Sequence, residues 1–133
     1  MEKVKVVVRF IDGNLIKGYT YDFFPNKERF HLIPANNPSG ETIEVSVKDL
    51  KAIFIVRDFI GHSLYKERKK YVEEEKPSGK KVEVTFIDGE LLVGSTLGYD
   101  PKRQGFFIFP ADPKSNNIRV YVVSSVVEKV RCL

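Results

Sequence analysis

Residues 5–13 read KVVVRFIDG, and residues 81–89 read KVEVTFIDG. The offset of 76 residues continues without a gap to Ala35 and Ala111, and 14 of the 31 aligned pairs are identical. Internal repetition of this kind is the signature of a duplicated structural unit. The sequence therefore predicts two related units within a chain of 133 residues.

Beyond Ala35 the two copies align with shifts of one residue. The alternating apolar residues at 43–47 align with those at 118–122, and residues 50–53 align with 127–130. This extends the repeat to nearly the whole of each unit.

The segment between the two copies has a different composition. Lysine and glutamate dominate it, and a Pro-Ser-Gly sequence ends it, which indicates a charged linker or a short solvated helix. We therefore divide the chain into a first unit at residues 1–57, a linker at 58–80 and a second unit at 81–133.

Each unit shows the alternation that is typical of β-strands. Val6, Val8 and Phe10 alternate with polar or variable positions, as expected for a strand with one buried face. The Asp-Gly pair that follows predicts a hairpin turn, because glycine readily adopts a positive φ. Gly18 and Gly94 lie inside the second strand, where the missing side chain favours a bend. Five short strands in each unit favour a small closed barrel, since closure removes exposed sheet edges.

Residues 82–94 follow the pattern Val-x-Val-x-Phe-x-Asp-Gly-x-Leu-x-x-Gly, and Asp100 comes six residues later. This resembles the first motif of Sm-like proteins, a pattern shared with SH3-like barrels. The resemblance implies an all-β fold of two tandem five-stranded SH3-like (Sm-like) small barrels. Gln104 stands where Sm-type RNA sites have an asparagine, and residues 122–126 lack the second Sm motif. The resemblance therefore implies the fold without the RNA site of that family.

Over nearly its whole length the chain also resembles an uncharacterised group of bacterial proteins. The shared segments are Gly18–Phe23, Leu50–Phe54 and the turn Gly98–Pro101. This resemblance implies a bacterial source and no particular activity.

Composition limits the possible classes of protein. The 22 Lys and Arg against 18 Asp and Glu give a net charge of +4, which permits nucleic-acid binding without indicating it strongly. The single cysteine, Cys132, excludes an internal disulfide framework. No stretch predicts a transmembrane helix or a signal peptide, so we expect a cytoplasmic protein. Abundant Lys and Glu with few thermolabile residues favour a heat-adapted source.

No group of residues predicts catalysis, a metal or a cofactor. Asp12 and Asp88 occupy equivalent predicted hairpin turns, where aspartate is favoured by the turn geometry. His31 and His62 have no second ligand at the spacing of a metal site. The order of a catalytic triad and a phosphate-binding glycine loop are both missing. We therefore predict that the protein is not an enzyme.

Residues 106–109 are apolar on both faces of one predicted strand. Phe106 and Ile108 then face a core, while Phe107 and Phe109 face outward. Two exposed phenylalanines would leave roughly 300 Å² of apolar surface, the size at which a patch indicates a contact. Either the first unit or a partner protein could cover this surface.

Basic residues flank the same strand in both units. Lys102 and Arg103 precede it in the second unit, Lys27 and Arg29 precede its counterpart, and His31 takes an outward position in the first unit. Basic groups beside aromatic rings suit single-stranded nucleic acid. Together with the two outward phenylalanines they form the predicted binding surface.

These features predict a non-catalytic binding or adaptor protein, whose most favoured partner is an unidentified protein. The alternative is binding of RNA or single-stranded nucleic acid through the loops at 25–29 and 101–105. We expect no membrane contact. A tandem could form a closed pseudo-dimer or one segment of a ring, so the sequence leaves the oligomeric state open.

Overall fold

A computed structural model of the protein describes residues 2–60 and 79–133. Within these residues the chain forms ten β-strands and two short 3-10 turns, at Val47–Asp49 and Ser124–Val126. The strands are β1 (Val4–Phe10), β2 (Leu15–Thr20), β3 (Arg29–Pro34), β4 (Ile43–Ser46), β5 (Leu50–Val56), β6 (Lys80–Phe86), β7 (Leu91–Thr96), β8 (Gly105–Pro110), β9 (Asn117–Val123) and β10 (Val127–Cys132). The all-β prediction is confirmed.

The ten strands form one antiparallel sheet in the order β10-β6-β7-β8-β9-β5-β1-β2-β3-β4. Two separate closed barrels are not confirmed, because this sheet is single and its ends, β10 and β4, are open. The fifth strand of the first unit, β5, pairs with the fourth strand of the second unit, β9. This pairing satisfies one edge of each unit by joining the units instead of closing each unit on itself. We call the β5–β9 pairing the junction.

The strand registers show how the repeat units correspond. Val8 pairs with Ile53 in the first unit, and Val84 pairs with Val130 in the second. Both strand pairs also shift register at the same place. The shift lies between Arg9 and Phe10 in the first unit, and between Val127 and Lys129 on the partner strand in the second. The two units therefore share one architecture down to the position of a β-bulge.

The register corrects one part of the sequence alignment. Phe30 pairs with Val45, and its equivalent Phe106 pairs with Val122. Residues 43–46 of β4 thus correspond to 120–123, so the alignment of 43–47 with 118–122 was wrong by two residues. A shift by two leaves the inward and outward alternation unchanged, and the hydrophobic pattern cannot detect it.

Two equivalent turns connect the first two strands of each unit. Asp12 Oδ1 accepts a hydrogen bond from the Asn14 amide at 2.9 Å, and Asp88 Oδ1 accepts one from the Glu90 amide at 3.0 Å. Gly13 has φ 92° and the equivalent glycine of the second unit has φ 90°, in the region that favours glycine. The predicted turn role of both aspartates is confirmed.

Gly18 and Gly94 lie where two strands approach each other closely. A Cβ atom at Gly18 would overlap the carbonyl oxygen of Ile33, and one at Gly94 would overlap the carbonyl oxygen of Phe109. Both glycines therefore allow a backbone contact that any side chain would prevent.

The core fills the inward faces of the strands, and β8 shows the predicted division between its two faces. Phe106 and Ile108 are buried, whereas Phe107 and Phe109 are half-buried. The inward and outward assignment of these four residues is confirmed.

The predicted linker at 58–80 follows β5 and overlaps β6 by one residue, because Lys80 already pairs with Thr96. Its central residues, 61–78, including His62, lie outside the described part of the chain. None of the described residues belongs to a helix with the length and apolar character that crossing a membrane requires.

Candidate functional site

The loops that precede β3 and β8 meet at the junction. Gln104 Nε2 donates hydrogen bonds to the carbonyl oxygens of Pro25, at 2.8 Å, and Lys27, at 2.7 Å. The Tyr121 hydroxyl also donates to the Pro25 carbonyl, at 3.2 Å. Burial raises the pKa of Tyr121, so its hydroxyl keeps the proton that it donates. Two loops that are 76 residues apart in sequence therefore form one surface.

Aromatic side chains of the two units also pack against one another at the junction. Phe23 of the first unit contacts Tyr121 edge-to-face with ring centroids 5.1 Å apart, and Phe107 with centroids 6.3 Å apart. The Arg119 guanidinium covers the Phe107 ring at 4.5 Å from its centroid. Part of the predicted apolar patch is thus packed against the first unit and against a cation.

A cleft of about 700 Å³ lies between the two loops. Four basic side chains line it, while Glu28 is the one acidic residue among those that line it. The basic residues are Arg29, Lys48, Lys102 and Arg103. Arg29 is partly neutralised by Glu44, whose carboxylate lies 3.4 Å from its guanidinium. The cleft therefore presents an excess of positive charge to a ligand. We call it the basic cleft.

The 3-10 turn at Ser124–Val126 contributes to the wall of the basic cleft. Ser124 lines it, and its hydroxyl is buried without a hydrogen-bond partner among the described residues. A buried hydroxyl without a hydrogen-bond partner is uncommon in folded proteins.

A second depression, of about 450 Å³, adjoins the basic cleft. Tyr99, Phe109 and Leu97 line it together with Arg119. Arg103 lines both concavities, so the charged and aromatic surfaces are continuous at this residue. We call this second concavity the aromatic depression.

The structure gathers most of the predicted binding surface at these two concavities. Arg29, Lys102 and Arg103 line the basic cleft, and Phe107 and Phe109 line the aromatic depression. Lys27 contributes its carbonyl to the loop contact, while its ammonium lies 5.0 Å above the centre of the Phe24 ring.

His31 lines neither of the two concavities. Its Nδ1 atom lies 2.7 Å from Asp22 Oδ2, and its backbone amide donates to the other oxygen of Asp22 at 2.9 Å. The hydrogen bond with Asp22 raises the pKa of His31 above its ordinary value. Partial burial pushes the pKa of Asp22 upward, but hydrogen bonds from His31 and Thr20 outweigh this and lower it.

Sequence reasoning missed several residues of the site. Lys48 and Ser124 lie in the 3-10 turns before the last strand of each unit, where no motif marks them. Tyr99 and Arg119 could have been chosen from the sequence, because one is an aromatic residue and the other a cation near β8. Only the fold shows that both line the same concavity as Phe109.

The described residues contain no group of three or more His, Cys, Asp or Glu arranged to hold a metal ion. The exposed thiol of Cys132 lies in β10.

Comparison with known proteins identifies the family of the chain. No curated protein and no solved structure matches the chain. The model of a family of unknown function, DUF6982, matches residues 2–133, which is nearly the whole chain. The chain belongs to this family of unknown function, DUF6982.

Proposed function

We propose that the protein is a cytoplasmic, non-catalytic binding protein and that the basic cleft and the aromatic depression together bind single-stranded nucleic acid. The observation that carries this proposal is the position of Arg103, which lines both concavities. A nucleic-acid strand offers both of the groups that such a surface recognises, a charged backbone and flat bases.

The basic cleft suits the backbone of the strand. Lys48, Lys102 and Arg103 stand around it, and phosphates would release their counterions on contact with these cations.

The aromatic depression suits the bases. Tyr99 is exposed at the rim and Phe109 is half-buried in the wall, so each has ring surface available for stacking. Stacking of one base on an aromatic side chain contributes about 1–3 kcal/mol and depends little on sequence. We therefore expect binding with weak sequence preference.

Fluorescence anisotropy with labelled single-stranded RNA and DNA oligonucleotides tests the proposal. Arg103→Ala should weaken binding of all sequences and reduce the slope of log affinity against log salt by about 0.7, the value for one lost phosphate contact on a single strand. Lys114→Ala is the matched control, because Lys114 is an exposed cation in the loop that follows β8, whereas Arg103 lies in the loop before it. Binding that responds equally to both variants would contradict the assignment of the cleft.

A protein partner is the second candidate, and it is supported by the apolar rim of the aromatic depression. Leu97 is 73% exposed there, beside Tyr99 and Phe109. An apolar contact of this kind would be insensitive to salt between 50 and 200 mM, whereas nucleic-acid affinity would fall steeply. Capture of a protein by the wild-type chain, lost in Leu97→Ser and retained in Arg103→Ala, would favour this candidate.

A further inference from the structure

The junction joins two different surfaces of the repeat unit. The first unit supplies its fifth strand, β5, and the second unit supplies its fourth strand, β9. The equivalent strands at the ends of the sheet are β10 and β4, and neither has a second strand beside it among residues 2–60 and 79–133. A contact between unlike surfaces of a repeated unit can propagate without limit, so a second chain could in principle add at either end.

Several side chains fix the junction beyond its backbone pairing, and Lys51, Gln104 and Tyr121 are three of them. Lys51 Nζ lies 2.7 Å from Asp88 Oδ2, Gln104 donates to two carbonyls of the first unit, and Tyr121 packs on Phe23. All three place a donor or an aromatic ring against a matching surface of the other unit.

At the free end of the sheet formed by β10, the residue equivalent to Lys51 carries a negative charge. Lys51 occupies the bulge of β5, and the equivalent bulge residue of β10 is Glu128. On a second chain docked at this edge, Glu128 would face Asp12, which occupies the same turn position as Asp88. An ion pair at the junction would thus become a contact between two carboxylates.

At the other free edge, formed by β4, acidic residues take the place of Gln104 and Tyr121. The Gln104 carbonyl accepts from the Ser124 amide just as the Glu28 carbonyl accepts from the Val47 amide, so Glu28 is its equivalent. Tyr121 pairs with Phe107 in the register in which Glu44 pairs with His31. Both replacements are exposed carboxylates that cannot donate to a backbone carbonyl.

We propose that Glu28, Glu44 and Glu128 close the two free edges of the sheet against a second copy of this chain. The chain contains one junction, and its two free edges lack the equivalents of Lys51, Gln104 and Tyr121 that help to hold that junction together. Charged residues at sheet edges commonly prevent edge-to-edge pairing, and here each lies at a position whose equivalent holds the units together. The two repeat units of one chain therefore pair with each other, and a second chain does not add to them.

Restoring the three side chains tests this proposal. The variant Glu28→Gln with Glu44→Tyr and Glu128→Lys should associate head to tail, so its mass in sedimentation equilibrium should rise with concentration to at least twice that of the 15.3 kDa chain. The buffer contains a reductant because Cys132 is an exposed free thiol.

A proline at the edge provides the matched control. The Leu133 amide donates to the Lys81 carbonyl at 3.0 Å, and because alternate residues of a strand face the same neighbour, the Cys132 amide points away from β6. Adding Cys132→Pro to the triple variant should return it to the monomer mass. Cys132→Pro in the wild-type chain should leave the mass unchanged.

Two results would overturn the proposal. One is a triple variant that melts cooperatively and keeps the monomer mass at every concentration. The other is a wild-type chain that assembles and is dissociated by Cys132→Pro. If the triple variant does not fold, the double variant Glu28→Gln with Glu128→Lys changes only two exposed side chains and is judged by the same measurements.

Discussion

Lys51 Nζ lies 2.7 Å from Asp88 Oδ2 and connects the last strand of the first unit to the first turn of the second unit. The lysine side chain is only 10% exposed, its ammonium also lies 3.3 Å from Glu90 Oε2, and it covers the Phe86 ring at 4.6 Å from the centroid. The bulge in β5 directs this side chain across the junction. A nearly buried cation is thereby held between two carboxylates and an aromatic ring.

The pair predicts different results for two equivalent aspartates. Asp88→Asn should lower the melting temperature because it leaves the Lys51 ammonium with a single carboxylate. Asp12→Asn should have little effect, because Asp12 makes only turn contacts to Asn14 among the described residues and asparagine serves in the same turn. Thermal melting of both variants measures this, and equal losses would show that the turn rather than the ion pair matters.

The same pair predicts a dependence on acid. The hydrogen bond from Lys51 lowers the pKa of Asp88 below its ordinary 3.8. A carboxyl with a lowered pKa adds stability above its unfolded pKa and loses this contribution as the pH falls through its folded pKa. The difference in stability between the wild type and Asp88→Asn should therefore be constant at neutral pH and shrink below about pH 4. Denaturant unfolding across this range would contradict the account if the difference grew on acidification.

His31 and Asp22 predict a dependence at the alkaline side. The pKa of His31 is raised above 6.5 by its hydrogen bond to Asp22, so the pair adds stability fully below 6.5 and loses it as the pH rises through the folded pKa. Asp22→Asn should lower the pKa of His31, as followed by NMR titration of the imidazole. Lys51→Met, a change at the other pair, should leave that titration as it is in the wild type.

The two glycines at the close strand approach should be equally intolerant of a side chain. Gly18→Val and Gly94→Val should each destabilise by about 1–3 kcal/mol, because the new side chain overlaps a backbone carbonyl. Gly98→Ala is the control, since no atom would lie within 4 Å of its added Cβ. Chemical denaturation measures all three, and stability unchanged in both valine variants would contradict the strand packing.

The two outward phenylalanines of β8 should behave differently from each other. Phe107 packs against Phe23 and Tyr121, so Phe107→Ser should destabilise by roughly 1–2 kcal/mol, part of the value for a fully buried phenylalanine. Phe109 lines the aromatic depression, so Phe109→Ser should weaken ligand binding more than it lowers stability. Melting temperatures in which Phe109→Ser is the more destabilised variant would contradict this division.

Much of the fold could be predicted because its signals are local. The alternation at Val6, Val8 and Phe10 and the Asp-Gly turns determine the hairpins, and the inward and outward faces of residues 106–109 follow from the period of two. Chain closure could not be predicted in the same way. Whether β5 closes its own unit or pairs with β9 depends on contacts between residues far apart in sequence. The alternation of apolar and polar residues within a strand carries no information about such contacts.

The candidate site shows the same division. Arg29, Lys102, Arg103 and Phe109 could be predicted because each carries its chemistry in its side chain and flanks or lies in a recognisable strand. The meeting of their two loops could not, because it depends on Gln104, whose amide gives no sign in sequence that it will bind two distant carbonyls.

Chemical-shift mapping tests the central claim most directly. The uniformly labelled wild-type chain is titrated with a single-stranded oligonucleotide, and the amide signals are followed at 50 and 200 mM salt. The account predicts that the perturbed amides cluster in the residues around the basic cleft and the aromatic depression, at 25–29, 46–48, 97–105 and 123–125, and that the perturbations fade at the higher salt. Perturbations centred on His31 or on the β10 edge, or none at either salt concentration, would contradict it.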